Sequence, residues 1–281
     1  MKPVESLLMQ QDNPIRICVA GVTGWVGRAL TPAILKQHDL LLTSAVARKS
    51  SHNTVGETLA CASSVEIRSS VAEALAKDKF DVLVDYTSAE AVYENVRAAV
   101  AAGVHVVVGS SGITDEQFSF LDAQARERSV GILAAGNFAI TAVLAQVFAC
   151  CAAKYVDNWE VIEYAHHDKI DAPSGTAREL ASRLAKGVPP KHIVEPGSVM
   201  GDSRSRGATV SGTQVHSIRL PGFIISFETI LGRDNERLSI RHDAGSGAEP
   251  YVGGTLLGIR EVRKASGVRR GLDSILDLQL K

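Results

Sequence analysis

The sequence predicts an α/β chain of two domains, the first built on a parallel sheet and the second, an α+β domain, on a mixed or antiparallel sheet. In the first half, short runs of Val, Ile and Leu alternate with helical patterns, as in parallel sheets that are covered on both faces. Beyond residue 154 the pattern changes, and strand-like runs follow one another with turns and few helices between them.

In the first half, the apolar run Ile15–Ala20 predicts a strand that leads directly into a helix over residues 24–37. Pro32 is expected to kink or restart this helix. Thr114 and Gln117 have the spacing of a capping box at the start of a later helix. Further strands are predicted over residues 40–47, 81–86, 104–108 and 130–134, and further helices over residues 71–77, 89–102 and 115–128.

A helix over residues 139–154 is predicted to lead into the second half. Pro250 suits the first turn of an amphipathic helix over residues 251–265. We expect residues 1–137 and 244–281 to form the first domain and residues 138–243 to form the second. The remaining predictions here are strands over residues 160–164, 208–220, 223–231 and 237–242, a helix over residues 174–186 and a long loop over residues 189–206.

Composition is that of an ordinary enzyme. The 281 residues are 45% hydrophobic, and 30 Lys and Arg nearly balance 31 Asp and Glu, so neither nucleic acid nor an anionic membrane is expected as a partner. The four cysteines lack a zinc-ligand spacing, which favours free thiols and no metal site. The first dozen residues do not resemble a signal peptide, and the weakly polar run over residues 139–153 is too short to span a bilayer. We therefore expect a cytoplasmic enzyme.

A glycine motif lies between the first predicted strand and its helix. It reads Gly21-Val-Thr-Gly24-Trp-Val-Gly27, a GxxGxxG variant of the fingerprint of Rossmann-like dinucleotide-binding domains. The first glycine permits a tight turn, the second lets the backbone approach a pyrophosphate, and the third lets the helix pack closely on the strand. The cofactor contacts predicted from this motif are Gly21, Thr23, Gly24, Trp25, Val26 and Gly27.

The end of the second strand indicates which nicotinamide cofactor binds. Sites for NAD usually place a carboxylate there, whereas a cation accommodates the 2′-phosphate of NADP. Here the strand ends with Arg48 and Lys49 and has no carboxylate. We predict that NADPH binds better than NADH, with Arg48 and Lys49 at the 2′-phosphate. NADH is the alternative cofactor.

Small and hydroxylated residues follow three further strands of the first half. The carboxyl ends of parallel strands meet at one edge of the sheet, where ligands bind. We predict additional cofactor contacts there from Tyr86, Thr87, Gly109, Ser110, Ser111, Ala135, Asn137 and Phe138.

The segment from Glu163 to Ala177 concentrates two imidazoles and an ammonium just before a helix start. Free N–H groups and the helix dipole make such a start an anion site. We therefore predict an acidic substrate held beside proton donors. The predicted catalytic residues are Lys169, His166 and His167, and the predicted substrate-binding residues are His166, Ser174, Gly175 and Thr176. Glu163 is expected to orient Lys169 or a histidine, and Asp171 to orient the turn or cap the helix.

Together these motifs resemble the 4-hydroxy-tetrahydrodipicolinate (dihydrodipicolinate) reductase family over residues 15–281. The most specific element is Lys169-x-Asp-Ala-Pro-Ser-Gly-Thr176, supported by the glycine motif, the 109–112 loop and the Asn137-Phe138 turn. The resemblance implies reduction of a cyclic dicarboxylate with NADPH or NADH in lysine and diaminopimelate biosynthesis. It also implies a homotetramer, with substrate binding and oligomerisation in the second domain.

One departure concerns the proton donor. The family pattern Glu-x-His-His-x-x-Lys carries the general acid at its first histidine, but a gap-free alignment places Ala165 there and His166 at the second histidine. Alternatively, His166 and His167 are the family pair and one residue is missing before Lys169. The sequence leaves open which of His166, His167 and Lys169 supplies the proton.

Two other functions stay open at this point. One is an NADPH-dependent dehydrogenase of another amino-acid or imine substrate on the same fold. The other is a non-catalytic NADPH-binding sensor, against which the retained Lys169 and the intact Ser174-Gly-Thr176 argue.

Overall fold

The computed structural model describes residues 13–186, 189–192, 194–223 and 225–278. The chain divides into two compact units. The first comprises the described residues up to Leu133 together with Ile259–Val268, and the second comprises Ala134–Gly258 with the described residues from Arg269 onward. Residues 244–258 thus lie with the second unit, whereas the sequence prediction placed them with the first. The domain boundaries remain a prediction.

The secondary structure alternates in the first half and is strand-rich in the second. The strands are β1 Ile15–Ala20, β2 Leu40–Val46, β3 Ile67–Arg68, β4 Val82–Asp85, β5 His105–Val108, β6 Gly131–Ala134, β7 Trp159–Ala165, β8 Ala208–Val210, β9 Thr213–Arg219, β10 Ile225–Arg233, β11 Glu236–Asp243 and β12 Gly267–Arg270. The α-helices are α1 Trp25–Ile34, α2 Val55–Leu59, α3 Val71–Lys77, α4 Val92–Ala101, α5 Asp115–Glu127, α6 Ile140–Ala152, α7 Gly175–Leu184 and α8 Glu249–Glu261.

The first sheet has the order β12-β6-β5-β4-β1-β2-β3. β1 pairs parallel with both β2 and β4, and β4 pairs parallel with β5, so the strand order reverses between β1 and β4. β4 is buried along its whole length because helices cover both faces of such a sheet. Because these pairings are parallel, the carboxyl ends of β1, β2, β4 and β5 lie at one edge, and ligands bind in open α/β sheets at this edge where the strand order reverses.

The second sheet has the order β11-β10-β7-β9-β8 and is mixed, since β7 runs parallel to β9 and antiparallel to β10. One face packs against α6 and α7, and the buried cluster there includes Trp159, Val161, Leu180, Phe227 and Leu231. The fold class predicted from the sequence, a parallel Rossmann-like sheet followed by a mixed sheet, is confirmed.

Three local predictions need correction. The strand predicted over residues 208–220 is two strands, β8 and β9, because Ser211 and Gly212 both adopt positive φ and turn the chain. Pro32 does not restart α1, which runs through it and ends two residues later. The sequence also missed α2, β3 and β12, which are too short for periodicity to reveal. The capping box at Thr114 is confirmed, since Thr114 and Gln117 exchange side-chain hydrogen bonds with each other's N–H group.

Candidate active site

The glycine motif forms a tight cradle between β1 and α1. Gly21 has φ +86°, and its N–H donates to Val46 at the end of β2. A Cβ at Gly21 would overlap the backbone of Tyr86, and one at Gly27 would overlap Gly21. Larger residues would therefore push β1, α1 and the end of β4 apart, which explains why this turn needs glycine.

The start of α1 can hold an anion. Its first intrahelical hydrogen bond runs from the Arg28 N–H to the Gly24 carbonyl, at 3.0 Å, so the N–H groups of Val26 and Gly27 precede it. Such N–H groups, at the positive end of the helix dipole, suit a pyrophosphate. The cradle therefore fits the dinucleotide that the motif predicts.

A buried carboxylate joins the loops that follow β4 and β5. Asp85 is fully buried, and its oxygens accept hydrogen bonds from the Thr87 N–H at 3.0 Å and hydroxyl at 2.7 Å, from Asn95 at 2.9 Å and from the Ser110 hydroxyl at 2.9 Å. Gly109 lies against the Tyr86 ring, where a Cβ would overlap it. The predicted contacts Tyr86, Thr87, Gly109 and Ser110 are therefore brought together.

Arg48 and Lys49 follow β2 and are exposed, and Ser111 is exposed after β5. The carboxylate of Glu90 lies within electrostatic range of Arg48. A hydrogen bond with Ser88 is the largest cause of a lowered Glu90 pKa, and the Arg48 charge is a smaller contribution. A 2′-phosphate bound at Arg48 would therefore contact a guanidinium whose positive charge is partly offset by Glu90.

Three predicted cofactor contacts lie in the second unit, at the end of β6. Ala135 is buried, and the side-chain oxygen Oδ1 of Asn137 accepts the Ala139 N–H at 2.8 Å, which forms a local turn before α6. Phe138 is 1% exposed, so its ring belongs to the core of this unit.

The predicted proton donors follow β7 directly. His166 Nδ1 lies 2.6 Å from Asp168 Oδ1, and the Lys169 ammonium lies 2.6 Å from Asp171 Oδ1. The His166 and His167 rings lie 4.2 Å apart between centroids. The loop thus places one carboxylate against the His166 imidazole and another against the Lys169 ammonium.

Ala165 closes β7 and is 2% exposed. Strand alternation puts it on the same buried face as Val161 and Glu163. Position 165 therefore supplies no polar group, and the candidate donors lie after the strand.

The start of α7 leaves two N–H groups for a ligand. The Ser174 hydroxyl caps the helix by accepting the Ala177 N–H at 3.2 Å, and the Ser174 N–H donates to Glu163 at 2.9 Å. Within the described parts of the chain, the N–H groups of Gly175 and Thr176 have no hydrogen-bond partner. No atom lies within 4 Å of where a Cβ on Gly175 would stand, so a carboxylate can approach them.

The expectation that Glu163 orients Lys169 or a histidine is wrong. Glu163 is 2% exposed, and one carboxylate oxygen accepts from the Ser174 N–H, the Ser217 hydroxyl at 2.6 Å and Arg219 at 2.7 Å. Burial alone would raise the pKa of Glu163. The hydrogen bonds from Ser174, Ser217 and Arg219 outweigh it and hold the pKa below its ordinary value.

The sequence did not predict Ser217 and Arg219 at the site, nor the hydrogen-bonding role of Asp85. Asp85 carried a readable signal, since it is a carboxylate that closes an otherwise apolar strand. Arg219 gave none, because 56 residues separate it from Glu163 and only the register of β7 on β9 brings them together.

The described residues form neither a cluster of metal ligands nor a membrane-spanning helix. They contain no group of three or more His, Cys, Asp and Glu side chains placed to hold a metal ion. None of the helices they form is long and apolar enough to cross a membrane.

Residues 15–276 are similar to known proteins of one family. Residues 15–138 match the family described as dihydrodipicolinate reductase, N-terminus, and residues 139–276 match dihydrodipicolinate reductase, C-terminus. The 4-hydroxy-tetrahydrodipicolinate reductase of Thermosynechococcus vestitus is 39% identical over 274 residues, which cover 94% of this chain and 98% of the relative. That of Moorella thermoacetica is 38% identical over 266 residues, with 94% and 98% coverage.

Among solved structures, the dipicolinate-bound dihydrodipicolinate reductase from Paenisporosarcina sp. TG-14 superposes with a TM-score of 0.83 at 29% identity, covering 94% of this chain and 100% of that one. An amine dehydrogenase from Mycobacterium smegmatis, at 17% identity and a TM-score of 0.68 with 95% and 97% coverage, shares the fold alone. The chain therefore belongs to the dihydrodipicolinate reductase family, whose members are NAD(P)H-dependent oxidoreductases that reduce 4-hydroxy-tetrahydrodipicolinate in lysine and diaminopimelate biosynthesis.

Proposed function

We propose that this chain reduces 4-hydroxy-tetrahydrodipicolinate with one substrate carboxylate at the start of α7 and a proton supplied by Lys169 or His166. The observation that carries the proposal is the pair of unpartnered N–H groups at Gly175 and Thr176, which follow the side chains of His166 and Lys169 by six to ten residues. A carboxylate there accepts two N–H groups and gains from the helix dipole. The Thr176 hydroxyl is a further donor within the same turn.

The proton donor is His166 or Lys169, each of which lies against the carboxylate of a neighbouring aspartate. Asp168 engages Nδ1 of His166, which fixes the ring and leaves Nε2 to face a ligand. Asp171 holds the Lys169 ammonium in the same way. Either cation can protonate the electron-rich enamine that reduction produces, and Lys169 can also stabilise negative charge as it develops. His167 is exposed and contributes by packing on the His166 ring.

The first unit holds the cofactor. When bound, the reduced nicotinamide supplies the hydride. The residues of the chain bind and orient it, with the pyrophosphate at the N–H groups of Val26 and Gly27 and the 2′-phosphate at Arg48 and Lys49. These two cations support a preference for NADPH over NADH.

The second unit also supports assembly. The sheet face opposite α6 and α7 carries Ile162, Tyr164, Ile218 and Ile230, which are only partly buried within one chain. A second copy that covers this face would remove their apolar surface from water. We propose a homotetramer built on this sheet, and native mass spectrometry would report its mass.

The direct test is turnover with enzymatically generated 4-hydroxy-tetrahydrodipicolinate, following NADPH and NADH oxidation in parallel. Substrate-dependent oxidation faster than the blank is expected, with a lower KM for NADPH. Equal KM values for the two cofactors would contradict the roles of Arg48 and Lys49. Oxidation at the blank rate would contradict the proposed substrate and point to another acidic imine.

Single substitutions then identify the acid. Loss of a positioned proton donor costs on the order of 10²–10⁴ in rate. We expect Lys169→Ala to lower kcat by that factor while NADPH affinity barely changes. His166→Gln should have an effect of this size instead if His166 is the donor. A Lys169→Ala enzyme with near wild-type kcat would remove Lys169 from the mechanism.

A further inference from the structure

Glu163 and Arg219 form a buried ion pair directly behind the start of α7. The Arg219 Nη2 atom lies 2.7 Å from Glu163 Oε1, and their side chains are 16% and 3% exposed. They lie on the neighbouring strands β7 and β9, where Glu163 is paired with Ser217. The pair is therefore fixed to the second sheet rather than to a loop.

Each partner of the pair holds one end of the turn that precedes α7. Glu163 Oε1 accepts the Ser174 N–H at 2.9 Å, and Arg219 Nη2 donates to the Asp171 carbonyl at 2.6 Å. Residues 171–174 are thus held at both ends by one ion pair. The position of this turn sets where the N–H groups of Gly175 and Thr176 point.

The pair also controls charge at the anion site. Glu163 takes the Ser174 N–H and so leaves Gly175 and Thr176 as the first free donors. Its negative charge would repel a bound carboxylate nearby, but Arg219 lies against it and neutralises it. The other charged groups around the turn are Lys169, which is paired with Asp171, and Arg178, which donates to the Pro173 carbonyl.

We infer that Glu163 and Arg219 are positioning residues that set the affinity for the dicarboxylate, by holding the 171–174 turn and by keeping the charge behind it neutral. This inference rests on the proposed substrate site at Gly175 and Thr176. Neither residue touches the substrate. Both act through the backbone of the turn and through the field at its N–H groups.

Dipicolinate binding tests the inference without turnover, by calorimetry on the whole chain. Arg219→Met leaves a buried carboxylate behind the anion site, and we expect dipicolinate to bind about tenfold to a hundredfold more weakly, because the unpaired Glu163 charge then repels the bound carboxylate. The double variant Glu163→Gln with Arg219→Met removes both charges and should recover the part of the loss that is due to repulsion, but not the part that is due to the lost contact with the Asp171 carbonyl. NADPH affinity should stay at the wild-type value in each.

Arg183→Met is the matched control. Arg183 lies at the other end of α7 and is about as buried as Arg219, with its guanidinium 2.6 Å from Asp273 and side chains 19% and 28% exposed. It should lower thermal stability without changing dipicolinate affinity. If Arg219→Met fails to fold, Arg219→Lys keeps the charge, but its side chain is one atom shorter and does not reach the position from which Nη2 contacts both Glu163 and the Asp171 carbonyl. Arg219→Lys should therefore bind dipicolinate more weakly than Arg183→Met.

The outcomes separate two failures. A wild-type chain that does not bind dipicolinate would contradict the proposed substrate site itself. A wild-type chain that binds it, with Arg219→Met or Arg219→Lys binding as tightly as Arg183→Met, would overturn the positioning role and leave the proposed function standing. A double variant no better than Arg219→Met would overturn the charge part of the inference.

Discussion

Asp85 in the first unit and Glu163 in the second are both carboxylates buried on strands beneath loops of the candidate site, yet they are satisfied differently. Asp85 accepts four hydrogen bonds from neutral groups on Thr87, Asn95 and Ser110. None of the Lys or Arg side chains that the structure describes pairs with it. Glu163 accepts two neutral donors and the guanidinium of Arg219.

The difference determines what each loop depends on. A buried charge without a cation needs every donor it has, and each donor in turn needs the carboxylate. Asp85 therefore joins the 85–88 loop, α4 and the 109–112 loop through one group. At Glu163, the guanidinium of Arg219 offsets much of the cost of burying the carboxylate. Loss of Arg219 should therefore weaken substrate binding more than loss of a single neutral donor.

The largest expected effect is that of Asp85→Ala. It leaves the Thr87 N–H, the Asn95 amide and the Ser110 hydroxyl without their acceptor, and each orphaned buried group costs about 1–3 kcal/mol. We expect the free energy of unfolding to fall by about 3–5 kcal/mol and NADPH to bind more weakly. Chemical denaturation and cofactor titration measure the two effects.

Glu94→Ala is the control for Asp85→Ala. Glu94 lies in α4 and forms an exposed ion pair with Arg97. Its loss should cost no more than about 0.5 kcal/mol, as is usual for exposed pairs on one helix. An Asp85→Ala protein as stable as Glu94→Ala would show that the Asp85 network is not what orders these loops.

An intermediate effect is expected from pH at Glu163. Its folded-state pKa lies below the ordinary value, so its contribution to stability is present above about pH 4.5 and is lost as pH falls through the folded pKa. Glu163→Gln lacks this titration. The difference in unfolding free energy between wild type and Glu163→Gln should therefore shrink between about pH 5 and pH 3.

Denaturation curves of the two proteins at matched pH measure this difference. Other carboxylates with lowered pKa values, such as Asp78 beside Arg68, titrate equally in both proteins and cancel. A difference that is constant with pH, or that grows on acidification, would mean that the Glu163 pKa is not depressed in the folded chain.

The sequence also predicted the surroundings of Asp85 and of Glu163 to different extents. The glycine motif, the strand ends after β4 and β5 and the segment from Glu163 to Thr176 follow from local patterns, because strand periodicity and turn residues are local properties. Arg219 depends on the register of β7 against β9, which no local pattern encodes. The role of Glu163 was misread for the same reason, since its partners lie on another strand and not in its own loop.

The smallest expected effect compares one hydroxyl donor from each network. Ser110→Ala removes one of the four donors to Asp85, and Ser217→Ala removes one of the three donors to Glu163. Because Arg219 still neutralises Glu163, we expect Ser217→Ala to cost about 0.5–1 kcal/mol and Ser110→Ala about 1–2 kcal/mol. Denaturation of both variants under one set of conditions measures the order. Equal costs, or a larger cost for Ser217→Ala, would mean that Arg219 does not make Glu163 less dependent on its neutral hydrogen-bond donors. The two carboxylates would then differ only in the arrangement of their partners.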